Sequence, residues 1–125
     1  MTENEISYQI RKGIFNVYNT LGPGLLESAY EAALAYELRK MGFDVQTQIA
    51  LPLVYDDIKL DVGYRLDILV NELVIIELKS VEKITEVHHK QLITYLKLSG
   101  LKLGLLVNFN TNDILNSIVR KVNGL

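Results

Sequence analysis

The feature that most constrains the fold of this chain is an apolar run at residues 73–76 that ends in Glu77, Leu78 and Lys79. A strand made of such β-forming residues belongs in the interior of a sheet. A carboxylate and an ammonium group buried at its end cost free energy unless other groups compensate for them. Ten residues before Glu77, Asp67 interrupts a second apolar segment. We therefore expect two acids and a lysine to meet at the ends of neighbouring strands.

The composition is that of a globular domain. The chain has 125 residues, enough for one hydrophobic core, and we expect residues 1–125 to form a single domain. Hydrophobic residues make up 49% and charged residues 22%, as in ordinary soluble proteins. No apolar run approaches the ~20 residues of a membrane span, and the polar amino terminus lacks the pattern of a signal peptide. We therefore expect no contact with a membrane.

Cysteine content and net charge narrow the class of protein further. The absence of cysteine excludes disulfides and thiolate metal sites, and it fits the reducing cytoplasm, where we expect this protein to be located. The net charge of −2 argues against a general nucleic-acid coat protein, which is usually basic. It does not exclude an enzyme that binds nucleic acid locally, because acidic metal ligands lower the total charge.

The spacing of apolar residues predicts an α/β fold. Helical spacing predicts three helices, at 5–21, 25–41 and 85–98. Apolar or alternating runs predict strands, the first three as a meander, at 45–51, 53–55, 59–63, 66–70, 73–78 and 103–107. The tail at 112–122 reads as a helical piece followed by a short edge strand. The order α-α-β-β-β-β-α-β describes a mixed β-sheet flanked by α-helices.

Two of the helices carry polar side chains on their apolar faces. In the second, Glu27 falls within the arc of Leu26, Tyr30, Leu34, Leu38 and Met41. This glutamate either stabilises the dipole of its helix or faces a metal ion or its water. In the third, Gln91 and Tyr95 fall within the arc of Ile84, Val87, Leu92 and Leu98. They either belong to the core or reach the same site as Glu27. We interpret His88 as a packed or rim histidine and not as a metal ligand, and His89 as solvated.

The connection between the two central strands decides whether their acids can meet. A two-residue turn at Asn71 and Glu72 would place Asp67 opposite Ile76, so that Asp67 and Glu77 pointed to opposite faces of the sheet. For the two carboxylates to converge, the register must be offset by one residue. We therefore predict a loop of odd length or a β-bulge between them.

A converging pair of carboxylates has a defined chemistry. Asp67 and Glu77 supply hard oxygen ligands suited to Mg²⁺ or Mn²⁺, and the backbone carbonyl of Leu78 would add a third. Such a metal would lower the pKa of a bound water. Lys79 would position or help deprotonate that water, or neutralise a phosphate oxygen. The alternative is that Glu77 and Lys79 form an ordinary ion pair at the end of a strand.

One further motif, at the start of the second helix, is more specific. Gly24, Glu27 and Tyr30 match the signature of the GxxExxY protein family, which this chain resembles. That family is similar to the PD-(D/E)xK nuclease superfamily, whose members have the restriction-endonuclease-like fold. The resemblance assigns the catalytic positions of the superfamily, in order, to Glu27, Asp67, Glu77, Lys79, Gln91 and Tyr95. It also places Glu27 among the metal ligands. One departure is Leu66, which stands where many members have a proline.

The resemblance carries a functional expectation. It implies a Mg²⁺- or Mn²⁺-dependent nuclease that hydrolyses phosphodiester bonds of DNA, with RNA the less favoured substrate. Two other classes stay open, because a fold does not determine a function. One is a catalytically inactive module of this fold that binds nucleic acid or protein, and the other is a phosphoesterase that acts on nucleotides. A chain this small has little surface with which to hold a duplex, so we expect a homodimer formed through edge strands.

Overall fold

The computed structural model describes residues 1–125. It contains three α-helices: α1 (Glu3–Leu21), α2 (Glu27–Lys40) and α3 (Glu86–Ser99). Its seven strands are β1 (Val45–Ala50), β2 (Leu53–Tyr55), β3 (Ile58–Leu60), β4 (Arg65–Val70), β5 (Val74–Lys79), β6 (Leu103–Asn108) and β7 (Ile118–Val122). A 3₁₀ turn at Ile114–Ser117 precedes β7. None of the helices is long and apolar enough to cross a membrane.

Local sequence determines where the helices begin and end. Thr2 and Glu5 form a reciprocal capping box at the start of α1, and Gly22, with φ +69°, ends it. The predicted start of α2 at residue 25 is wrong by two residues, because the glycine-rich loop continues through Leu26. Leu26 is 77% exposed and does not share the buried face of the helix. Helix α3 ends at Gly100 in the left-handed conformation, as its sequence predicts.

Five strands form one mixed sheet in the order β1-β4-β5-β6-β7. Strands β5 and β6 are parallel, and the other neighbouring pairs are antiparallel. The predicted edge position of the last strand is confirmed, and β6 is an interior strand with all its residues buried. The predicted meander is wrong: β1 pairs with β4, while β2 and β3 form a separate hairpin. Every residue of β3 is exposed, and its neighbours include several aspartates, which an interior position would not tolerate.

The helices cover both faces of the sheet. Helices α1 and α2 pack on one face over the larger hydrophobic core, which includes Ile10, Leu34 and Ile76. Helix α3 packs on the other face over a smaller core that includes Ile75 and Leu92. In this arrangement, the carboxyl ends of the interior strands β5 and β6 lie together at one end of the sheet, next to the first turns of α2 and α3.

The buried face of α3 differs in part from the predicted arc. Val87 was expected to face inward but is 71% exposed in the first turn, and the buried residues are Leu92, Tyr95 and Leu96. The Nδ1 atom of His88 accepts a hydrogen bond from the backbone N–H of Thr85 at 3.0 Å, so His88 caps the helix. His89, predicted to be solvated, is half-exposed, and its Nδ1 atom is buried without a hydrogen-bond partner.

Candidate active site

The register between β4 and β5 aligns the two acids predicted to converge. Three residues, 71–73, connect the strands, and the pairs are Val70 with Val74 and Ile68 with Ile76. Continued by one more residue, this register brings Asp67 opposite Glu77. The predicted connection of odd length is therefore confirmed, and it places the two acids side by side on neighbouring strands.

The regular pairing of β4 with β5 ends before Asp67 and Glu77. At this pair, the carboxylates accept hydrogen bonds from backbone N–H groups in place of backbone carbonyls. The backbone N–H of Asp67 donates to Oε1 of Glu77 at 3.2 Å. In return, the backbone N–H of Leu78 donates to Oδ2 of Asp67 at 2.8 Å. The N–H and C=O groups of one strand residue point toward the same neighbouring strand, so the carbonyl of Leu78 also points toward β4. The end of this strand pair thus holds two carboxylates, with the carbonyl of Leu78 directed to the same side.

Burial perturbs both carboxylates strongly. Glu77 is only 4% exposed, and burial, followed by the negative charge of Asp67, raises its pKa to about 9. Burial likewise raises the pKa of the half-buried Asp67, and the charge of Glu27 adds to this effect. A hydrogen bond between the two carboxyl groups favours the proton on Glu77 and its absence on Asp67. Near neutral pH Glu77 therefore retains its proton in the absence of a cation.

Lys79 does not neutralise this pair through a direct contact. The only ion pair in the protein with an N···O distance within 4 Å joins Lys40 to Glu37, at 3.3 Å. The simpler interpretation of Glu77 and Lys79, an ion pair at the end of a strand, is therefore wrong. Lys79 lies half-buried at the carboxyl end of β5. It is close enough for its positive charge to lower the pKa of both Asp67 and Glu77.

An open cleft of about 260 Å³ leads from solvent to Asp67. It is lined by Glu27, Ser28, Glu31, Gln48, Asp67 and Leu78. Glu27 is the first residue of α2, and its Oε2 atom accepts a hydrogen bond from the backbone N–H of Ser80 at 3.4 Å. The fold thus brings Glu27 to the rim of the cleft that Asp67 occupies, and Glu27 also stands in the positive end of the dipole of its helix.

Gln91 and Tyr95, on α3, lie on the face of the sheet opposite the cleft, and Tyr95 is near enough to be influenced by the charges of both acids. Tyr95 is 4% exposed and packs edge-to-face on Tyr64, with ring centroids 5.6 Å apart. Burial raises the pKa of Tyr95, and the nearby charges of Glu77 and Asp67 raise it further, whereas a hydrogen bond with Gln91 lowers it. Both side chains therefore belong to the surroundings of the two acids, and Tyr95 is at the same time part of the smaller core.

Comparison with known proteins identifies the family. A family model described as the PD-(D/E)XK nuclease superfamily matches residues 4–121. The chain belongs to the PD-(D/E)XK nuclease superfamily. Its five-stranded mixed sheet with three helices agrees with the restriction-endonuclease-like fold predicted from the sequence. No curated protein and no solved structure matches the chain.

The donor set of this PD-(D/E)XK chain fits a hard divalent cation. Asp67 and Glu77 bring two carboxylates together, the carbonyl of Leu78 faces the same side, and no basic side chain is paired with them. No three acidic or histidine side chains lie close enough to enclose a metal ion by themselves. The remaining ligands of a cation would thus be the Leu78 carbonyl, water and substrate oxygens, as is usual for Mg²⁺. PD-(D/E)XK nucleases generally use divalent metals.

Three residues at this PD-(D/E)XK site were missed by sequence reasoning. Asn108 is 6% exposed and fixes the loop after Lys79: it accepts from the N–H of Val81 at 3.1 Å and donates to its carbonyl at 2.9 Å. A polar residue directly after an apolar strand was the available signal for it. Glu31 and Gln48 line the cleft, and their contact depends on a pairing of α2 with β1 that no local pattern reveals.

Proposed function

We propose that this protein is a metal-dependent nuclease that hydrolyses phosphodiester bonds, with DNA favoured over RNA. The observation that carries the proposal is the adjacent pair of the half-buried Asp67 and the buried Glu77. Each accepts a backbone hydrogen bond from the strand of the other, and neither has an ion-pair partner. A structural ion pair would be neutralised within the protein. A pair of carboxylates left with excess negative charge is suited to hold a cation.

The residues that would hold Mg²⁺ or Mn²⁺ are Asp67, Glu77 and the carbonyl of Leu78, with Glu27 at the rim of the cleft. When bound, the ion would lower the pKa of an attacking water and stabilise negative charge on the phosphoryl oxygens. Asp67 and Glu77 would need to be ionised to bind the ion, so binding would release the proton that burial otherwise holds on Glu77.

The other side chains act on the water and the phosphate. The amine of Lys79, free of any ion pair, would orient or deprotonate the attacking water, or neutralise a non-bridging oxygen. Gln91 and Tyr95 would support this arrangement from the face of α3. A homodimer through the sheet edges β1 or β7, a cytoplasmic location, membership of the GxxExxY family and a single domain over residues 1–125 are further predictions of the same proposal.

The proposal is tested by a substrate panel. Plasmid DNA, linear double-stranded DNA, single-stranded DNA, RNA and mononucleotides are incubated with the protein in Mn²⁺ or Mg²⁺. We expect cleavage of DNA, and its loss by about 100-fold or more in Glu77→Ala and Lys79→Ala. The matched control is Glu86→Ala, which removes an exposed acid from the first turn of α3 and should leave the rate unchanged.

Each pattern of results has one meaning. Loss of cleavage in Lys79→Ala together with unchanged binding of Mn²⁺ would support a role of the lysine in the chemical step. Hydrolysis of mononucleotides without cleavage of polymers would replace the nuclease by a phosphoesterase. An inactive wild type that binds neither metal would indicate the binding module of this fold instead.

A further inference from the structure

Gln48, in the middle of β1, has an unusual backbone conformation. Its φ angle is +51°, in the left-handed region that residues other than glycine, asparagine and aspartate seldom occupy. On either side of it, Thr47 pairs with Ile68 and Ile49 pairs with Leu66 in regular antiparallel register. Gln48 therefore lies opposite Asp67, at the one interior position where the ladder between β1 and β4 is interrupted.

This interruption changes which face of the sheet the neighbouring side chains occupy. Leu66 and Ile68 are two residues apart and would share a face in a regular strand. Instead, Ile68 packs in the larger core, beneath α1 and α2, whereas Leu66 packs in the smaller core, beneath α3. The distortion at Gln48 and Asp67 thus turns both side chains into the cleft, and the backbone of Gln48 is part of that distortion.

The side chain of Gln48 spans the cleft between two acids. Its Nε2 atom donates to Oε1 of Glu31 at 2.6 Å and lies 3.4 Å from Oδ1 of Asp67. The other oxygen of Asp67, Oδ2, accepts from the N–H of Leu78. Each carboxylate oxygen of Asp67 therefore accepts from one N–H group, and the amide that donates to Oδ1 is itself held by Glu31 on α2.

We propose that Gln48 is a positioning residue, which holds Asp67 in the orientation that binds the divalent cation. The inference rests on the proposed function, since it concerns the same metal site. An amide suits this role because it donates a hydrogen bond without bringing a charge. A lysine there would compete with the cation for Asp67, and a glutamate would add repulsion between carboxylates.

The backbone of Gln48 allows the two contributions of this residue to be separated. Glycine adopts a positive φ readily, so Gln48→Gly keeps the distortion of the strand and removes only the amide. Because Gln48 is exposed, its hydrogen bonds contribute little to folding. We therefore expect the melting temperature of Gln48→Gly to equal or exceed that of the wild type, while its function declines.

The test is titration of Mn²⁺ into the purified chain by calorimetry, alongside thermal unfolding. We expect Gln48→Gly to bind Mn²⁺ about 10-fold more weakly, the usual effect of removing a hydrogen bond to a metal ligand. In DNA cleavage, we expect a lower kcat with unchanged KM for DNA, and recovery of the rate at high Mn²⁺. The matched control is Gln46→Gly in the same strand, which is exposed and should lower stability without changing the affinity for Mn²⁺.

A second variant controls for a change in the fold caused by the glycine substitution. Gln48→Asn tolerates the left-handed conformation but has an amide too short to span from Glu31 to Asp67, and it should lose affinity as the glycine variant does. Unchanged Mn²⁺ affinity in both variants would overturn the positioning role while leaving the nuclease proposal intact. Failure of the wild type itself to bind Mn²⁺ would count against the proposed function instead.

Discussion

Glu77 is an acid that the fold keeps protonated at neutral pH in the absence of a cation. Burial and the charge of Asp67 raise its pKa from 4.5 to about 9. As pH rises above 4.5, the unfolded chain releases this proton and the folded chain retains it, so the free energy of unfolding falls until about pH 9. The raised pKa of Asp67 acts in the same direction. The metal-free protein should therefore be most stable in mild acid.

This linkage predicts the effect of Glu77→Gln, which resembles the protonated acid. At pH 7 in EDTA, the variant should be more stable than the wild type by about 2–3 kcal/mol, because its unfolded state gains nothing by ionisation. The difference should shrink toward pH 5 and grow toward pH 9. Urea unfolding of both proteins at these three pH values measures it, and a constant difference across them would contradict the raised pKa.

Single residues also show how far the sequence determines the site. Asp67, Glu77 and Lys79 could be predicted because charged groups at the ends of apolar strands need a reason to be there. Gln48 could not, since its role depends on a left-handed backbone angle in a strand whose sequence reads as ordinary. Val87 was misplaced because helical spacing alone does not show where a helix passes beyond the sheet that it covers.

At the scale of elements, the packing of α3 against the sheet depends on a glycine in β6. A Cβ atom added to Gly104 would lie 2.7 Å from Cδ1 and 3.1 Å from Cγ of Leu92. The apolar strand therefore needs this glycine for the close approach of the helix that carries Gln91 and Tyr95. Sequence patterns predicted both elements but not the contact between them, because the spacing within each element does not show which of their residues meet.

Gly104→Ala should lower the free energy of unfolding by about 1–3 kcal/mol through overpacking against Leu92. Leu92→Ala alone should cost about 2–5 kcal/mol by leaving a cavity. Because the added methyl group fills part of that cavity, the double variant should lose less stability than the sum of the two. Urea unfolding of the four proteins provides the cycle, and strict additivity would show that the two side chains do not meet.

At the scale of the whole molecule, the succession of helices and strands was predictable, although five strands and not the four of the predicted order separate α2 from α3. The pairing of strands was not predictable. The hairpin of β2 and β3 is inserted between β1 and β4, which pair across it. Local spacing identifies each strand, whereas pairing depends on contacts between residues far apart in the sequence. The register of β4 and β5 was an exception, because the need for Asp67 and Glu77 to converge allowed only an offset connection.

The whole molecule presents Glu27, Glu31 and Asp67 in a cleft open to solvent between α2 and the sheet, with Glu77 buried beside Asp67. This placement leaves room for a polymer to cross the edge, and it is the reason for favouring a nuclease over an enclosed small-molecule site. The metal ligands, the lysine and the cleft form one unit in this account, so loss of a ligand should abolish the reaction and not merely weaken substrate binding.

The decisive measurement is the rate of DNA cleavage as a function of Mn²⁺ concentration, in the wild type and in Asp67→Asn. We expect a rate that is zero in EDTA, rises to saturation with Mn²⁺ in the wild type, and stays at least about 100-fold lower in the variant at every concentration. Cleavage that persists in EDTA, or equal rates in the two proteins, would contradict it.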